Sequence, residues 1–206
     1  MASRTALRVM REAGPCNACF DDPRGQLDRV QSGVPHPRWI GSRYADAVCR
    51  VALVLINPGQ PGEDSWHRRE TKVFRDFHAG ESYEGVRDHY RACVARRDRW
   101  ICRYIDLLGG DIEEIAQLNM AWCATKQNRY PTWMLDQCFR LYTGRLLEAL
   151  DPHVVLLSGK SALSEFKPRV EKLLPNSRVR VISHYARNAL GQAEPREVRE
   201  WMRSSR

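Results

Sequence analysis

The sequence predicts an α/β fold, a three-layer α/β/α sandwich around a central, mainly parallel four-stranded sheet. Two observations carry this expectation. Four short apolar runs rich in β-branched residues stand apart along the chain, and longer stretches of helical periodicity fill the intervals between them. Strands that alternate with helices pair in parallel, because each crossover helix returns the chain to the starting edge of the sheet and covers one of its faces.

The strands are expected at Val51–Asn57, Ile115–Trp122, His153–Ser158 and Arg178–Ser183, and the helices at Tyr83–Leu108, Thr132–Leu150, Ser161–Leu174 and Pro195–Arg203. Gly109–Gly110 stops the first helix, and Thr132, directly after Pro131, stands where an N-cap would open the second. Residues 14–46, rich in Gly, Pro and polar groups, read as an irregular wrap over the core. A chain of 206 residues is long enough for one well-buried domain and short for two, so residues 1–206 are expected to form a single domain.

Charge and cysteine usage narrow the function. Lys and Arg outnumber Asp and Glu by 33 to 25, and the resulting net charge of +8 suits an anionic partner, nucleic acid foremost, although charge alone names none. The opening MASRTALRVMREAG holds no apolar run of the length that a signal peptide or membrane span needs. A cytoplasmic monomer with no membrane partner is therefore expected. In that reducing compartment seven cysteines are poor material for disulfides, and closely spaced pairs point to metal or cluster ligation.

Cys16 and Cys19 form a C-x-x-C in a loop, while Cys123 follows a strand and Cys138 sits inside a helix. Four thiolates of this kind hold zinc or an iron–sulfur cluster, and spacing alone does not separate the two. Cys49, Cys93 and Cys102 read as ordinary core or helical cysteines. Ligands in parallel α/β folds bind beyond the carboxyl ends of the strands. The segments in those places are VLINPGQPGEDS, CATKQNRYP, SGKSA and SHYARNALG, which bring Asn, Lys, Arg and His to one edge.

The order PCNAC, LNMAWC, QNRYP and LDQC resembles the uracil-DNA glycosylase superfamily, and within it the iron–sulfur, family 4-like branch, over almost the whole chain. The resemblance implies a DNA glycosylase that flips uracil or a related base out of DNA and hydrolyses its N-glycosidic bond, leaving an abasic site in base excision repair. It also implies a 4Fe–4S cluster on Cys16, Cys19, Cys123 and Cys138. Two motifs depart from that branch. Leu-Ile-Asn-Pro-Gly stands where its members read Gly-Glu-Ala-Pro-Gly, closer to the Gly-Ile-Asn-Pro-Gly of mismatch-specific glycosylases, and Ser-His-Tyr-Ala-Arg-Asn replaces His-Pro-Ser. The preferred base thus stays open among uracil, mismatched thymine, deaminated purine and modified cytosine. A catalytically weak module for damaged DNA is the alternative from another class.

By the same resemblance, His184 donates to the oxyanion that develops on the departing base, and Asn57 places the attacking water, with Glu63 and Asp64 as nearby carboxylates for the same task. The resemblance also has Asn119 read the edge of the flipped base, and among the aromatics of the chain itself Phe74 is the candidate to stack on that base, with Phe77 and Trp66 as rivals. Leu190 fills the gap in the duplex and Arg187 contacts phosphate.

Overall fold

The computed structural model describes residues 4–24, 27–28, 33–58, 65–97, 101–184 and 193–204. A mainly parallel sheet forms the centre, as the sequence predicts, with five strands instead of four. These are β1 (Trp39–Ile40), β2 (Val51–Leu55), β3 (Ile115–Asn119), β4 (Val154–Ser158) and β5 (Arg178–Ile182), in the spatial order β1-β3-β2-β4-β5. The extra strand β1 has two residues and runs antiparallel to β3, pairing Trp39 with Gln117 and Ile40 with Ala116. Two residues carry no readable alternation, which is why the wrap conceals it.

Every residue of β2, β3 and β4 is buried, so both faces of the sheet are covered. The outer strand β5 instead turns Val179 and Ile182 into the core and leaves Arg178 and Arg180 partly exposed. Helices α1 (Arg4–Glu12), α2 (Ser65–His78), α3 (Glu84–Arg96) and α4 (Ile101–Leu108) precede β3 or lead into it. They are followed by α5 (Thr132–Cys138), α6 (Gly144–Leu150), α7 (Lys160–Leu163), α8 (Lys167–Leu173) and α9 (Ala193–Arg203). Contacts join α6 to α1 and α8, and separately α4 to α9. The chain moves one way across the sheet from β2 to β3 and the other way from β3 to β4 and β5, and right-handed crossovers, the rule for parallel strands, would place the helices of the two directions on opposite faces.

The helix boundaries differ from the sequence reading in identifiable ways. The single helix expected over Tyr83–Leu108 is two helices, α3 closing at Arg97, whose left-handed backbone (φ 50°) caps it. The helix expected over Thr132–Leu150 is continuous, with a widened turn over Phe139–Thr143. Helices α1 and α2 fall outside the predicted set. Both are short of apolar residues overall and are held by one buried stripe, Ala6, Val9 and Met10 in α1 and Phe74 and Phe77 in α2.

A buried ion pair ties α2 to the wrap. Arg38 Nη1 lies 2.6 Å from Glu70 Oε1 with both side chains almost fully buried, and the Tyr90 hydroxyl donates to the same oxygen at 2.7 Å. Burial alone would raise the Glu70 carboxyl, but Arg38, His36 and Tyr90 together hold it well below the usual carboxylate range. Glu70→Ala would leave the Arg38 charge buried and unpaired, so we expect a loss of about 3–5 kcal/mol in denaturant unfolding. Lys72→Ala, at the exposed Lys72–Asp76 pair, should cost under about 1 kcal/mol. Because the folded chain binds the Glu70 proton less tightly than the unfolded chain, this stabilisation is whole above the ordinary carboxylate range and fades as pH falls through it. The stability gap between parental chain and Glu70→Gln should shrink in acid; a gap that widens there would refute the assignment.

Candidate active site

The four parallel strands end level with one another. Their register pairs Leu55 with Asn119, Leu55 with Ser158, and Ser158 with Ile182. The residues just past that row therefore emerge side by side at one edge. The chain leaves β2 towards β3 on one side, and β4 towards β5 on the other, so a crevice opens between the ends of β2 and β4. A cleft of about 420 Å³ occupies this place, within the usual size range of a small-molecule site.

Ile56 and Asn57 enter the cleft from the end of β2, Gly159, Lys160 and Ser161 from the end of β4, and Ser183 and His184 from the end of β5. Asn128 reaches it from the loop after β3. Asn57 and His184, predicted to share the chemistry, are thus brought together. The Asn57 Nδ2 donates to Asn128 Oδ1 at 2.8 Å, and this bond holds the amide. Asn128 itself takes the left-handed backbone (φ 55°) that asparagine tolerates better than most residues.

His184 follows a segment held from two sides. The Ser158 hydroxyl donates to the Ser183 carbonyl at 3.0 Å and meets the Tyr104 hydroxyl at 2.7 Å, while the Ser183 N–H donates to Glu194 Oε1 at 3.0 Å. Lys160 Nζ lies 3.1 Å from the same oxygen. Burial would raise the Glu194 carboxyl, but hydrogen bonds from Ser183 and Lys160 bring it below the ordinary range.

Asn119 and Phe74 do not line this cleft. Asn119 is the last residue of β3 and its side chain lies fully buried in the sheet, its Nδ2 donating to the His36 carbonyl at 2.9 Å. Its Oδ1 finds no hydrogen-bond partner among the described residues. Phe74 is fully buried in α2 and stacks on the His36 ring, with centroids 4.9 Å apart. The two predicted base-contacting residues thus meet around His36 and not at the cleft. Arg38 links the two places, since its Nη2 donates to the Pro58 carbonyl at 2.6 Å, next to Asn57. Of the rivals to Phe74, Phe77 is core packing against Tyr83, and Trp66 lies in the first turn of α2. Glu63, Asp64, Arg187 and Leu190 lie outside the described residues.

Cys16, Cys19, Cys123 and Cys138 line one small cavity, closed by Phe20, Trp122 and Tyr142. Cys19 is pushed far up by its hydrogen bond to Cys138, then by burial and by the charges of Cys138, Cys123 and Cys16, and the same bond pushes Cys138 down. Among the described residues no group of three or more His, Cys, Asp or Glu side chains is arranged to hold a metal ion.

Several residues of the site escaped the sequence reading. Asn128, Lys160 and Ser161 lay in segments marked as strand-end loops without a role of their own. His36, Arg38, Glu70 and Glu194 carried no motif at all. Buried charge at His36–Glu70–Arg38 has no signature in sequence, because the partners come from separate segments.

Gly159 shapes the floor of the cleft. Its backbone is left-handed (φ 138°), and a Cβ there would stand 2.7 Å from Ile56 Cδ1. We expect Gly159→Ala to cost about 1–3 kcal/mol in denaturant unfolding, through backbone strain and displacement of Ile56 beside Asn57. An unchanged midpoint would show that the turn adapts freely.

Compared with protein-family models and with curated proteins, the chain matches none of either.

Proposed function

We propose that this chain is a DNA glycosylase of the uracil-DNA glycosylase superfamily, a cytoplasmic monomer that excises uracil or a related base in base excision repair. One observation carries the reading: Asn57 and His184, distant in sequence, line a single cleft at the crevice where the strand order reverses. Cleavage of the N-glycosidic bond leaves positive charge on the sugar and negative charge on the base. His184 is the donor for the developing base oxyanion, and a donor fixed in advance loses no energy to reorganisation at the moment of reaction. Asn57, its amide plane held by Asn128, orients the water that attacks the sugar carbon. An amide is too weak a base to deprotonate that water strongly, which suits a bond that breaks largely before the water adds.

Asn119, fully buried and with its Nδ2 engaged by the His36 carbonyl, offers its Oδ1 to a base edge only where the segment around His36 moves aside. Phe74 meets a base only where the His36 ring moves aside. Lys160 and the surplus of cationic side chains meet the phosphates.

In the same proposal, Cys16, Cys19, Cys123 and Cys138 hold a 4Fe–4S cluster. The donor set fits. Thiols are the donors such a cluster would take, and the four cysteines line one cavity. When bound, the cluster supplies a structural tie, joining the loop after α1 to the chain after β3 and to the end of α5.

Two measurements test this. Protein prepared without oxygen should be brown and carry about four irons per chain, and Cys16→Ser or Cys138→Ser should lose the colour and much of the soluble yield, whereas Cys49→Ser should not. Colourless protein with one zinc would overturn the cluster. On single-lesion oligonucleotides, with enzyme in excess, His184→Ala should slow base release by roughly 10²–10³ while DNA affinity is largely kept. Asn57→Ala should also slow that step. Parental rates in both variants would remove these residues from the active site, and no abasic product on any base would favour the DNA-binding module.

A further inference from the structure

We propose that Glu194, at the start of α9, is the positioning residue that aims His184 into the cleft, acting through the Ser183 peptide. The inference rests on the reading of His184 as the donor to the leaving base.

The strand ladder stops short of His184. Its last bond at this edge runs from the Gly159 N–H to the Ile182 carbonyl at 2.9 Å, so regular pairing no longer determines where the chain goes next. Side chains take over at Ser183. Its carbonyl receives the Ser158 hydroxyl and its N–H is received by Glu194 Oε1, so the peptide groups on both sides of this residue are anchored. The Glu194 bond has a charged acceptor, the stronger kind, and its side chain is only 19% exposed.

Glu194 can hold Ser183 in place only if α9 is itself fixed. Arg178 of β5 stacks its guanidinium 4.2 Å from the centre of the Trp201 ring and donates to the Trp201 carbonyl at 2.9 Å, and Val198 is fully buried. The helix is thus anchored along β5, with Glu194 delivered to the strand's carboxyl end. Lys160, just past the end of the neighbouring strand β4, pairs with the same Oε1 at 3.1 Å. One carboxylate oxygen therefore joins the β4 wall, the β5 wall and α9.

Two variants separate the acceptor from the charge. Glu194→Ala removes both; Glu194→Gln keeps an oxygen for the Ser183 N–H and releases Lys160. In single-turnover cleavage, Glu194→Ala should lose roughly 10- to 100-fold, the scale expected when a reacting group is displaced slightly, and Glu194→Gln should recover most of that loss. DNA affinity should not fall in either, since Lys160 is left free for phosphate.

A second readout is independent of any activity. In protein with isotope-labelled histidine, the ring signal that vanishes in His184→Ala should shift and broaden in Glu194→Ala and return towards its parental position in Glu194→Gln. Ser158→Ala, which removes the other anchor of Ser183, should move the same signal, which keeps the test decisive even where alanine at 194 does not fold. A His184 signal unmoved by Glu194→Ala, or moved equally by alanine and glutamine at 194, would overturn the proposal, and where alanine at 194 does not fold, a signal unmoved by Ser158→Ala would do so. Failure of the parental chain to release any base would instead sink the glycosylase reading, while the ring signal still decides the positioning role.

Discussion

The hydrogen-bond register of the four parallel strands is the constraint on which the cleft depends. Level pairing of Leu55, Asn119, Ser158 and Ile182 brings four otherwise unrelated loops to one height. A slip of one residue in any strand would turn its side chains to the opposite face. Because β2, β3 and β4 are buried on both faces, such a slip would also leave core residues misplaced, so the packing that stabilises the domain also enforces the geometry of its edge.

Behind that edge the wrap and α2 supply a polar interior unusual for so apolar a sheet. Arg38, Glu70, Tyr90 and His36 form one buried network, and its outermost bond, from Arg38 to the Pro58 carbonyl, holds the turn that carries Asn57. Charges in this position contribute little to net stability and strongly penalise rearrangement, because any partner left alone would face an interior unable to solvate it. The turn after β2 is thus anchored by electrostatics, and the segment after β5 by the hydroxyl of Ser158 and the carboxylate of Glu194.

The four cysteines that line one cavity come from the loop after α1, from just past β3 and from the end of α5. Trp122, which also lines it, donates to the Thr143 hydroxyl at 2.9 Å, and that hydroxyl in turn reaches the Asn119 and Met120 carbonyls. The cavity and the end of β3 are therefore parts of one connected structure.

The sequence by itself determined the α/β class, the positions of the four long strands and the loops in which Asn57 and His184 would be found, because apolar period and turn residues are local signals that a chain displays openly. The grouping of the four cysteines was legible for the same reason, as one close spacing, Cys16 and Cys19, and two element ends, Cys123 and Cys138. Only the tertiary structure decided that Asn119 and Phe74 meet around His36 and not at the cleft, since that depends on how residues 33–38 lie across the end of β3. The same holds for β1, whose two residues become a strand only through an edge offered by β3, and for Glu194, a surface-looking residue in a helical pattern that becomes a hinge of the site through a contact with Ser183. Contacts between distant segments follow from packing and register, and no single stretch of sequence contains them.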